Sequence, residues 1–263
     1  GAFSQFNSYN NVVWRNDPDH IALAEPDAYR ATTLTSLTGS LLMLTDPPEV
    51  YRTDRVEAAK RAAPVLFTVP GQLYDVDPSR SSRITAVDAE VSGAGPRPFE
   101  ADQQLVQSLY LTEVNRPFER WAVLARTGGD QGSIRFADLG LPEGREYLVF
   151  EFWTKRLLGA FQEAFAPGPV DPSFAVQVLC IRERVPHPQL VATNRHVTCG
   201  GADLVDVAWR GDTLSGTSEV VANDGYELYL TEPPGWRFVA ASVDGAPPTS
   251  SERAGALRVV RMR

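Results

Sequence analysis

The sequence is poor in the residues that most often announce a mechanism. Its 263 residues include two cysteines, two methionines and three histidines. Two cysteines allow a single disulfide, too few for a fold built on disulfide staples. Cys180 lies in the apolar run FAVQVLCI and reads as a buried thiol. Cys199 lies in the turn-like TCGG, and a bridge between the two is an open alternative. No CxxC and no Cys/His spacing suggests zinc, so neither a metal nor another cofactor is expected. There is no apolar run of about eighteen residues, which argues against a transmembrane helix. Positive charge is also scarce: 25 Lys and Arg stand against 33 Asp and Glu, a net charge of −8. That balance disfavours nucleic acid and anionic membrane as partners. GxSxG, P-loop and GxGxxG patterns are all missing, which leaves acyl transfer, nucleotide hydrolysis and dinucleotide binding without support. The opening GAFSQFNSYN has neither the basic start nor the apolar core of a targeting peptide, and no initiating methionine. The expectation is a chain that starts partway through a longer protein, with localisation unread.

What is present divides by pattern. Residues 1–63 alternate strand-like and helix-like stretches. NNVVW reads as a short strand. PDAYRATTLTSLTG reads as a helix with Ala28, Ala31, Leu34 and Leu37 at spacing three and Gly39 as its stop. SLLMLTD reads as a strand buried on both faces. TDRVEAAKRAAP reads as a second helix, capped by Asp54 and ended by Pro64. This βαβα order belongs to parallel α/β folds, yet two strands make no stable sheet alone. From residue 64 the pattern is all-β: PVLFTV, ITAVDAEV, QLVQSLYLTEV, RWAVLAR, EYLVFEFW, FAVQVLCI, YELYLT, FVAASV and LRVVRM are separated by turn clusters such as LPEG and DGAPP. The expected fold class is therefore mostly β, with antiparallel β-sandwiches preceded by a partial (β/α) barrel segment. The expected divisions are 1–63, a sandwich over 64–185, and a small β-module over 186–263 beyond Pro186 and Pro188.

One stretch carries chemistry. NDPDH, residues 16–20, places Asp17, Asp19 and His20 just beyond a strand-like run, the place where barrel enzymes hold active-site groups. These side chains could be metal ligands, acid/base groups or sugar contacts. Asn-Asp-Pro-Asp is also ordinary turn vocabulary, with side chains capping nearby N–H groups. No second ligand cluster accompanies the metal reading. His187 and His196 read as surface or hydrogen-bonded structural residues. Trp121 and Trp153 alternate with apolar neighbours and read as core, whereas Trp14 is open to a stacking role.

At this point the residues carry a resemblance. WRNDPDHIAL followed by SLTGSLLMLTD resembles the last barrel strands of α-galactosidase-like glycoside hydrolases. FADLGLPEGREYLVFEFWTKRLLGAF is similar to their C-terminal β-sandwich. The likeness covers most of residues 9–181. It implies a retaining mechanism with two aspartates, both at strand ends that fall before residue 1. It also implies that Asp19 lines the sugar pocket, with His20 where the family usually has Met or Leu. Asn16 and Asp17 would hold the loop, Asp46 would stand near the rim, and Trp14 would sit beside the pair. No catalytic residue is expected within this chain. The partners implied are a carbohydrate and the missing barrel portion, supplied by the same protein, a second chain or a homo-oligomer. A stand-alone carbohydrate-binding or protein-interaction module is the alternative.

Overall fold

The computed structural model describes residues 11, 13–17, 19–66, 109–127 and 132–262. The expected strands at PVLFTV from residue 67 and at ITAVDAEV lie outside the described residues. The fold is mostly β, and no closed barrel forms among the described residues.

Its centre is a five-stranded antiparallel sheet. The strands are β3 (Leu109–Arg116), β4 (Glu119–Arg126), β6 (Tyr147–Glu151), β7 (Arg156–Phe161) and β9 (Gln177–Glu183), in the order β3-β4-β9-β6-β7. Strand side chains alternate between faces, and here the alternation sorts residues into two cores. Tyr110, Trp121, Val123, Ala125, Leu148, Phe150, Val178 and Cys180 enter one core. Their chain neighbours Leu109, Leu111, Ala122, Leu124, Tyr147, Val149, Leu179 and Ile181 enter the other. That second face is closed by the two-stranded β5 (Ile134–Arg135) and β8 (Ala164–Phe165), with Phe136 stacked on Phe165 at 5.3 Å. A sheet covered on both faces explains why RWAVLAR reads as continuous apolar sequence.

The first face meets a four-stranded antiparallel sheet. It is built from β10 (Leu190–Thr193), β13 (Tyr226–Thr231), β15 (Leu257–Met262) and β14 (Ser250–Ala254), in that order. Ala192, Tyr229, Leu257 and Val259 share one core with Trp121 and Phe150, so Pro186–Pro188 carries the chain between layers that close on each other. Each large apolar side chain buried there stabilises by roughly 1.5–3 kcal/mol. A hairpin of β11 (Leu204–Arg210) and β12 (Thr213–Ser218) turns at Gly211, whose φ of 64° suits glycine. FVAASV forms no strand. It lies between Pro233-Pro234-Gly235 and Gly245-Ala246-Pro247-Pro248, prolines cannot donate to a ladder, and Val239 is 87% exposed.

The first part of the chain is a small βαβ unit. β1 (His20–Ile21) pairs in parallel with β2 (Met43–Leu44), His20 opposite Met43 and Ile21 opposite Leu44. Between them runs α1 (Ala28–Leu37), and α2 (Val56–Ala62) packs on it through Ala28, Ala58 and Ala59. Three expectations are corrected. The strand at NNVVW is replaced by a turn at Asn11 and Val13 and a single bridge residue, Trp14; the strand starts at His20. The run at SLLMLTD is a strand for two residues, and Met43 is exposed rather than buried. Asp54 makes no cap to α2, whose N-terminal turn is joined by Thr53 accepting the Arg55 N–H at 3.3 Å. Gly39 does stop α1, at φ 66°. The helix is enclosed beyond its apolar stripe, burying Thr32, Thr33, Thr35 and Ser36. Hydroxyls bonded back to carbonyls make this tolerable: Thr32 to Ala28 at 2.8 Å, and Ser36 to Ala62 at 2.7 Å.

Candidate functional site

The motif is a compact turn leading into β1. The Asp17 carboxylate accepts the Asp19 N–H at 2.9 Å, an Asx turn across the intervening proline. Asp19 then takes a left-handed φ of 70°, a conformation that Asp tolerates better than most side chains. Its Oδ1 accepts the His20 N–H at 2.9 Å and lies 3.1 Å from His20 Nδ1. The His20 backbone N–H, then its ring, hold the Asp19 carboxyl below the usual range. Both side chains face solvent, 85% exposed for Asp19 and 60% for His20. Their remaining hydrogen-bonding positions are thus open to an incoming polar molecule. The motif leads into β1, and of the described residues ahead of it Asn11 and Val13 are in turns and Trp14 makes a single bridge.

The other candidates sit around this turn in different states. Asn16 is buried; its side-chain oxygen accepts the Trp14 indole N–H at 2.9 Å and its carbonyl accepts the Leu41 N–H at 2.9 Å. Those bonds tie the motif to the segment entering β2. Arg15 Nε donates to the Gly39 carbonyl at 3.1 Å and reinforces the same seam. Trp14, with its N–H engaged, leaves its ring 47% exposed. Asp46 follows β2 and turns back: Oδ2 accepts the Leu23 N–H at 2.7 Å and Oδ1 the Ala24 N–H at 3.1 Å. Asp46 is therefore a clamp on the turn after β1. Among the described residues, no group of three His, Cys, Asp or Glu is placed to hold a metal ion. A cleft of about 600 Å³ lies elsewhere, lined by Tyr29, Tyr51, Arg52, Asp54, Glu57 and Lys60.

Two features have no counterpart in the sequence reading. The first is a buried polar joint between the helices and the sandwich. Arg61, 5% exposed, meets Glu57 at 2.5 Å and grips Asp224 with both terminal nitrogens at 2.6 and 2.9 Å. Beside it His196 is fully buried. Its Nδ1 accepts the Thr198 N–H at 3.2 Å, which places the ring proton on Nε2, 3.2 Å from both Ser36 Oγ and the Ala62 carbonyl. Desolvation pushes its pKa down to about 4. The second is an aromatic cluster on the C-terminal layer. The His187 ring stacks on Trp209 at 4.9 Å, and Trp209 meets Trp236 edge-on at 4.9 Å. Trp236 is 37% exposed, and its indole N–H donates to the Pro186 carbonyl at 3.2 Å. Such contacts join residues far apart in sequence, so spacing could not reveal them.

No family model matches this chain, and no curated protein matches it. Solved structures do. One is a GH27 β-L-arabinopyranosidase from Geobacillus stearothermophilus, at 14% identity and TM-score 0.36, covering 69% of this chain and 40% of that one. Another is α-galactosidase I from Mortierella vinacea, at 16% identity and TM-score 0.34, covering 64% and 39%. A third is the isomalto-dextranase of Arthrobacter globiformis T6, at 15% identity and TM-score 0.35, covering 78% and 32%. The chain spans two fifths or less of the length of each of these three structures.

Proposed function

We propose that this chain is the C-terminal part of a glycoside hydrolase acting on α-galactoside-like sugars. It supplies the β-sandwich and one wall of the sugar pocket, and it is inactive alone. The observation that carries this reading is the parallel pairing of β1 with β2 around α1. Parallel strands belong to larger sheets covered by helices, and two strands of two residues cannot persist unaided. Among the described residues neither strand pairs with a third, and Val13, Trp14 and Met43 remain exposed beside them. Further βα units at those edges would complete the sheet and cover these side chains. That supports the motif resemblance in NDPDH and SLLMLTD.

In this reading Asp19, ionised and open, accepts sugar hydroxyls, while His20 offers a ring nitrogen and Trp14 a ring face. Asn16, Asp17 and Asp46 hold the turns that present them. The catalytic carboxylates belong to the portion outside this chain. The test is hydrolysis of aryl α-galactosides by the polypeptide encoded by the whole reading frame and by this chain alone. Turnover by the first only supports the proposal, and turnover by this chain alone refutes it.

The cluster of His187, Trp209 and Trp236 favours a second reading, a carbohydrate-binding module that needs no barrel. Tryptophan fluorescence of this chain titrated with α-galactosides distinguishes them. A saturable change lost in Trp236→Ala supports the module.

A further inference from the structure

We infer that the cleft between the starts of α1 and α2 is a second carbohydrate site, separate from the turn at Asp19. It rests on the glycoside hydrolase reading only for the choice of probe sugar.

The cleft, of about 600 Å³, has the size that holds small organic ligands. Its place follows from the path of the chain. Tyr29 stands in the first turn of α1, which follows β1, while Tyr51, Arg52, Asp54, Glu57 and Lys60 belong to the stretch that follows β2. β1 and β2 run parallel, so both connections leave from the same end of the pair. In α/β units ligands bind beyond the carboxyl ends of parallel strands, because loops and helix starts converge there. Asp19 instead immediately precedes β1, at its amino end.

One wall of the cleft is held rigid from behind. The Tyr29 ring meets Trp153 edge-on at 4.8 Å and Phe174 edge-on at 5.0 Å, and both partners pack into the larger core of the sandwich. Burial, then the charges of Glu57 and Asp54, push the pKa of the Tyr29 phenol up, so it stays protonated with two carboxylates near it. Among the described residues the side chains of Tyr29, Tyr51, Arg52, Asp54 and Lys60 take no hydrogen bond or ion pair, and Glu57 engages Oε1 alone, with Arg61. The cleft therefore gathers donors and acceptors that the fold leaves unused.

The chemistry of this lining selects the ligand. Arg52 and Lys60 balance Asp54 and Glu57, so no net charge favours an ion of either sign. Donors and acceptors stand side by side, and hydroxyl groups both donate and accept. The phenol rings of Tyr29 and Tyr51 add flat apolar surface for the C–H face of a ring that bears those hydroxyls. A sugar combines these features in one molecule.

The experiment is a titration of the isotope-labelled chain with melibiose, an α-linked galactoside, followed by amide NMR. Saturable shifts are expected at Tyr29, Tyr51, Asp54 and Lys60. Tyr29→Phe removes an oxygen that bonds nothing else among the described residues, so it should fold as the wild type does. Its Kd for melibiose should rise by about three- to tenfold, as for one lost hydrogen bond. Asp54→Ala, at an exposed carboxylate that caps no helix, should raise Kd by about tenfold or more. Absence of saturable shifts at these residues overturns the inference, including when melibiose shifts the surroundings of Asp19 or Trp236 instead. A Kd unchanged in both variants also overturns it, as do shifts at the cleft with inorganic phosphate and none with melibiose. The hydrolase reading is judged separately. Turnover of aryl α-galactosides by the whole reading frame, without shifts at the cleft, rejects this inference alone; shifts at the cleft without that turnover support it and reject only the hydrolase.

Discussion

Acid should loosen this protein through His196. The ring is neutral and fully buried, and desolvation, with Arg195 adding a like charge, lowers its pKa to about 4. An unfolded histidine titrates near 6.5, so between these values the unfolded chain binds a proton that the folded chain refuses. Stability from this residue is fully present above pH 6.5 and falls as pH drops toward 4, by about 3 kcal/mol in all. About 2 kcal/mol of that is gone by pH 5. The structural consequence is local: protonated Nδ1 would face the Thr198 N–H that it now accepts. The assay is urea unfolding of the wild type and of His196→Gln at a series of pH values. Gln cannot titrate, so the variant should be less stable near neutrality and should converge on the wild type in acid. Parallel stability curves between about pH 7 and 5 would falsify the argument that a buried neutral imidazole seats the helices.

Other perturbations separate the scaffold from the candidate pocket. Asp224→Ala leaves the buried Arg61 with Glu57 alone and should cost about 2–4 kcal/mol in urea unfolding, against little for an exposed pair. Phe150→Ala, at a side chain with no exposure in the larger core, should cost about 3–5 kcal/mol by the same measurement. Asp46→Ala removes the acceptor for two backbone N–H groups and should cost about 1–2 kcal/mol, and Asp46→Asn should recover at most part of it, because an amide has one oxygen to accept and turns an NH2 toward the second N–H. Asp19→Ala puts alanine at a left-handed φ of 70° and removes the acceptor for the His20 N–H, so it should cost about 1 kcal/mol by the same measurement. Under the proposed function, the same change in the polypeptide of the whole reading frame should weaken sugar affinity by about 1–3 kcal/mol, read by calorimetry, and unchanged affinity would remove Asp19 from the proposed pocket.

The central sheet was legible because apolar, β-favouring runs of strand length bounded by turn clusters mark RWAVLAR and EYLVFEFW, and the same signal marks YELYLT in the second sheet. α1 was legible through its length and Gly39. Its burial was not, since Thr32 and Ser36 look solvent-facing until hydroxyl-to-carbonyl bonds and alanine contacts with α2 are seen. β1 and β2 are two residues each, too short for any period, and the more apolar NNVVW drew the strand assignment away from His20–Ile21. β14 carries exposed polar residues on both faces, Glu252 and Arg253, so no alternation betrays it. At the candidate site, residue types alone announce a turn. What the sequence could not supply was its state: Asp17 and Asp46 bonded to backbone, Asp19 and His20 open, and Asp19 in a left-handed conformation.

The most direct measurement is the rate of aryl α-galactoside hydrolysis, side by side, by this chain and by the product of the whole reading frame. The account predicts turnover by the longer protein, weakened in Asp19→Ala, and none by this chain. Turnover by this chain alone, or a longer protein that cleaves no aryl glycoside, would contradict it.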